Sequence, residues 1–145
     1  MADALTIIGT AASVVQIVEV LAKTLSRLSE LNERWRQADC TFINLIAQLS
    51  ALKAALNKIQ EWMDADIDET HHQLVMDLGL SIECCRVLID KMDSEVSGLH
   101  RSADNGLNSQ GKIKLMIKNG KLEELQKMVE RQTNALTLLL TVCNW

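Results

Sequence analysis

Two adjacent pairs, His71-His72 and Cys84-Cys85, come nearest in this chain to a reactive or metal-binding set. Imidazole and thiolate together are the donors of a tetrahedral zinc site. The spacing argues against one. If both pairs lie on one helix, His72 and Cys84 are twelve residues apart, roughly 18 Å at the helical rise. Neighbours in sequence also point in different directions. The plainer expectation is that the histidines sit exposed in a first helical turn and the cysteines pack as buried thiols. Nucleophilic catalysis needs a thiol or hydroxyl beside a base in a pocket. No GxSxG, glycine-rich phosphate loop or HExxH occurs, and a di-iron pattern of the Glu-x-x-His kind is not expected. The many acids read as a solvated face. No enzyme activity, cofactor, metal or small-molecule substrate is expected.

The elements that carry these residues are helices. The chain has 145 residues, 48% of them apolar, enough for one self-sufficient core. Proline and tyrosine are absent, and four of the six glycines fall between Gly98 and Gly120. Sheets need turn residues far more often than that and favour aromatics. Apolar side chains recur at alternating gaps of three and four in three runs. The first is Phe42, Leu45, Leu49, Leu52, Leu56, Ile59, Met63. The second is Leu74, Leu78, Ile82, Cys85, Ile89, Met92, Val96, Leu99. The third is Leu122, Leu125, Val129, Gln132, Leu136, Leu139, Cys143, with Gln132 as one polar core position. Ile46, Val75, Leu88 and Leu140 widen these stripes beyond a coiled-coil seam.

Helices are therefore expected over residues 3–33, 37–64, 69–101 and 120–144. Acids of residues 64–68 supply an N-cap for the third. Residues 102–111 form the one clear loop, and a short basic helix spans 112–118, closed by Asn119-Gly120. Short connections place antiparallel helices side by side. The expected fold is all-α, an up-and-down four-helix bundle with one short additional helix, in a single domain over residues 1–145.

The first helix differs from the rest. Residues 5–22 are apolar nearly all round, with Glu19 the single charge, and approach the length of a membrane span. Gly9-Thr10 is a candidate kink. Such a helix belongs either at the bundle centre, buried on all sides, or in lipid after release. Net charge is −4, but it is segregated. Residues 61–104 hold eleven acids, so a nucleic-acid partner is not expected, whereas Lys112, Lys114, Lys118 and Lys121 form an acid-free cluster suited to anionic headgroups. No basic residue precedes Lys23, which argues against a signal peptide. The Met-Ala start reads as a true N-terminus, and the apolar run up to Trp145 as a chain that continues.

The two ends of the sequence resemble a known family. Met1-Ala2-Asp3, Leu5, Gly9 and the Ala11-Ala12 pair stand where fungal HeLo-like domains have them, with Ala4 and Thr6 in place of that pattern's proline and serine. Near the other end, Arg131-Gln132, Ala135-Leu136 and Leu138-Leu139-Leu140 follow a basic stretch as in the same family. Those domains are similar to the bundle of the necroptosis pseudokinase and precede the nucleotide-binding domain of NOD-like (STAND) receptors or ankyrin-repeat proteins.

The resemblance implies an N-terminal effector that is cytoplasmic and is recruited to the plasma membrane when oligomerisation activates it, causing incompatibility-type cell death. Leu5, Ile7, Ile8, Val14, Val15, Ile17, Val18 and Leu21 would engage the membrane. Lys112, Lys114, Lys118 and Lys121 would meet anionic lipid. The alternative is a non-enzymatic adaptor or dimerisation module that self-associates or recruits a partner helical domain.

Overall fold

The structure, a computed structural model, describes residues 4–34, 41–64, 72–104 and 122–143. All are helical: α1 (Ala4–Arg34), α2 (Thr41–Asp64), α3 (His72–Asp104) and α4 (Leu122–Cys143). The short helix expected over 112–118 and the capping acids Asp66 and Asp68 lie outside the described residues. Gly9-Thr10 does not interrupt α1, which runs through both. At its far end α3 runs to Asp104, three residues beyond the expected stop. Ser102 and Ala103 carry no signal strong enough to end a helix, and Arg101 favours its negative end.

Each helix buries one heptad seam. On α2, Phe42, Leu45, Leu49, Leu52, Leu56, Ile59 and Met63 are all buried. On α3, Leu78, Ile82, Cys85, Ile89, Met92, Val96 and Leu99 are buried, joined by Val75 and Leu88. On α4, Leu122, Leu125, Val129 and Leu136 are buried, while Gln132 is half-buried at the seam's edge. The α1 seam is Thr10, Val14, Ile17, Leu21, Thr24, Leu28 and Leu31, again at gaps of four and three. Together they form a single core. Apolar burial on this scale is the main favourable term in folding.

Packing places α1 against α2 and α3, and α4 against the same two helices. α2 therefore lies diagonally across from α3, and α1 from α4. α1 and α3 run parallel. Thr10 lies beside Gly79, Thr24 bonds Asp93, and Glu30 bonds His100, a near-constant offset along both chains. α4 runs antiparallel to α3, since Glu124 and Met128 share a groove with Glu95 and Lys91. Trp62 and Leu140 meet near the C-terminal ends of α2 and α4, so these two are parallel. The helices alternate up and down along the chain. Around the bundle axis their order is α1, α2, α4, α3.

Candidate functional site

α1 occupies a corner of the bundle, which corrects the expectation that it would be buried on all sides. Its two faces differ because, among the described helices, α2 and α3 pack against it. Val14, Ile17 and Leu21 are buried, whereas Ala12, Val15, Gln16, Glu19, Ala22 and Lys23 face solvent. Of the residues expected to engage a membrane, the structure thus buries Val14, Ile17 and Leu21, half-buries Val18 and exposes Val15. Leu5, Ile7 and Ile8 belong to α1, with side chains outside the described set. Lys112, Lys114, Lys118 and Lys121 lie outside it altogether. Among the described residues no helix is long and apolar enough to cross a membrane.

The hold of α3 on α1 is uneven along its length. From Gly9 to Lys23, α1 meets the bundle through its apolar seam and Thr10. From Thr24 onward, polar groups join in. The Thr24 side chain is fully buried, and its hydroxyl lies 2.9 Å from the Val20 carbonyl and 3.0 Å from Asp93 Oδ1. Arg27 Nη1 donates to the same Asp93 oxygen at 2.8 Å and to Ser97 Oγ. Glu30 Oε2 sits 2.6 Å from His100 Nε2. Six side chains on two helices thus make a polar clasp over the C-terminal half of α1. The Arg27–Asp93 bond is charge-assisted and partly shielded from water, the stronger kind, whereas the Glu30–His100 pair is exposed. Sequence periodicity missed the clasp, because of its α1 members only Thr24 falls on the seam.

The candidate metal and thiol residues separate. Cys84 is exposed and Cys85 is buried, and both are free. Burial pushes the Cys85 thiol up to about 12, and Cys84 beside it adds to the shift. The Cys85 state is the opposite of an activated nucleophile's, whose thiolate must form readily. Among the described residues no three His, Cys, Asp or Glu side chains are grouped to hold a metal ion. Glu69 does precede His72 by three, one copy of the Glu-x-x-His spacing that was not expected. A di-iron bundle uses two such pairs from two helices. Glu69 and His71 lie outside the described residues, as does the His72 side chain.

On the outer face of α3, Arg86 bridges Glu83 and, at 3.7 Å, Asp90. The hydrogen bond from Arg86 holds the Glu83 carboxyl below the ordinary carboxylate range. Exposed networks like this add little stability. Large apolar side chains are also exposed: Met76, Leu80 and Val87 on α3, Met128, Leu138 and Val142 on α4. Trp62 is half-buried against the core, and Trp35 and Trp145 lie outside the described residues. No family model matches the chain, and neither a curated protein nor a solved structure does.

Proposed function

We propose that the chain is a HeLo-like effector module of a NOD-like receptor-type protein, which targets a membrane through α1 when clustering frees it, and triggers cell death. The observation that carries this reading is the uneven hold on α1. Among the described residues its first half, from Gly9 to Lys23, is the more apolar and is held by burial, while the clasp at Thr24, Arg27 and Glu30 fastens the second half. A lipid surface can replace apolar burial but cannot replace that clasp. The first half can therefore exchange the core for lipid while the second half stays docked. The N-terminal residues Met1-Ala2-Asp3, Leu5 and Gly9, with their likeness to HeLo-like domains, support the same reading. So does the lysine cluster 112–121 as a headgroup contact.

Locking α1 tests it. A Cβ at Gly79 lies 3.6 Å from Thr10 Oγ1, so Thr10→Cys with Gly79→Cys brings two thiols within disulfide reach. The reduced double variant, clustered by a fused oligomerisation tag, should leak anionic-lipid vesicles as the unmodified chain does, and the oxidised form should not. Leakage that ignores the lock, or no leakage from any clustered form, would end the membrane reading.

A second reading, an adaptor or dimerisation module, is favoured by the exposed apolar side chains of α3 and α4. It requires no lipid, and its test is association in solution.

A further inference from the structure

The α3–α4 face is apolar where the bundle has no reason to make it so. Met76 and Leu80 are four residues apart, and Val87 follows seven later, which keeps all three on one side of α3. Leu138 and Val142 hold the same spacing on α4. The antiparallel register brings the two sets level. Lys91 and Glu95 share a groove with Met128 and Glu124. About four turns from there along each helix lie Leu80 and Met76 on one side, Leu138 and Val142 on the other. Leu80 is 75% exposed, Leu138 69% and Val142 59%. Residues 132–143 carry no charge. Even the threonines are turned inward electrically: Thr137 and Thr141 donate their hydroxyls to carbonyls one turn back, at 2.8 and 3.0 Å.

We infer that this face, centred on Leu80 and Leu138, is where a second copy of the chain docks. The inference rests on the self-association reading given second above and is independent of lipid engagement. The exposed side chains of the face present on the order of 500 Å² of apolar surface, the upper range for an unpartnered monomer. Two copies face to face hide about 1,000 Å², the floor for a specific interface. Both signs lie among these side chains, Asp77 and Glu83 on α3 with Arg131 on α4. An apolar surface interspersed with both signs complements itself under a two-fold axis. Its acids make it a poor match for an anionic lipid surface.

Sedimentation equilibrium on the 145-residue chain, from about 1 to 200 µM, reads the result directly. The unmodified chain should show a reversible monomer–dimer equilibrium. Leu80→Glu and Leu138→Glu should each weaken it at least tenfold while leaving the thermal melt of dilute protein unchanged. Ile43→Glu, at a 55% exposed position on α2, should leave the equilibrium as it was. A chain that stays monomeric throughout overturns the inference, as does a dimer indifferent to Leu80→Glu or equally weakened by Ile43→Glu. Binding of anionic vesicles should survive Leu80→Glu. Its loss without any change in mass would assign the face to lipid and overturn the dimer. Vesicle leakage under the α1 lock is a separate readout, so either reading can fail alone.

Discussion

At Asp93 one carboxylate oxygen serves two donors from α1, the Thr24 hydroxyl and the Arg27 guanidinium. Asp93→Ala should lower the unfolding free energy by about 1–2 kcal/mol, because Arg27 then loses a charge-assisted bond. Thr24→Val should cost less, since it keeps the shape and removes the buried hydroxyl along with its need for a partner. Urea unfolding of the two variants gives the comparison. Cys85 carries a pH signature. Folded, its thiol keeps its proton up to about 12, against 9.0 for an ordinary cysteine. Between those values the unfolded chain binds fewer protons than the folded one, so stability falls as pH rises, by up to about 1.4 kcal/mol per unit. Below about pH 9 the contribution is fully present. Melting curves at successive alkaline pH values should show a flatter decline for Cys85→Ala than for the unmodified chain. The split between the two thiols was half legible: period assigned Cys85 to a seam, but the expectation that both cysteines are buried fails at Cys84, one position earlier, which is exposed. The clasp was not legible, because Arg27, Glu30, Asp93 and His100 look in sequence like any solvated helix face.

Among the elements, α2 and α3 were read almost residue for residue, because polar residues separate their seams cleanly. α1 was not. Ala11, Val15, Val18 and Val20 fill the spaces between its seam positions, and two seam positions are threonines, so the period is blurred from both sides. Burial restores it. Leu21→Ala should cost about 2–5 kcal/mol as a core truncation, whereas Val15→Ala should stay within about 0.5 kcal/mol. Chemical denaturation resolves a difference of that size. Amide exchange should also grade along this helix, faster for residues 9–20 than for 24–31, since only the latter stretch is clasped. Uniform protection would contradict the two-part helix. On α2, the Gln48 side-chain oxygen is buried with no hydrogen-bond partner. Gln48→Met, near in shape and without that acceptor, should raise the unfolding free energy by about 1 kcal/mol.

For the molecule as a whole, composition and period were enough for four long helices around one core with alternating direction. The arrangement around the axis was beyond them. Short connections argue that consecutive helices touch, and that holds for α1 with α2. It fails for α2 and α3, which face across the diagonal because α3 packs alongside α1. The pairing depends on where Gly79, Asp93 and Ser97 fall relative to Thr10, Thr24 and Arg27, a match between two faces that neither helix displays alone. Disulfide formation between cysteines at 10 and 79, mapped by peptide mass, checks it, since a diagonal α1 and α3 could not form that bond. The same pairing has a consequence during synthesis. The partners of α1 on α3 are encoded about 70 residues downstream, and translation at about 5–20 residues per second leaves a delay of roughly 4–14 s. Through that interval the nascent N-terminal segment has emerged without the neighbour that finally shields it, so a ribosome-bound chaperone or a nearby bilayer has the first opportunity to hold it.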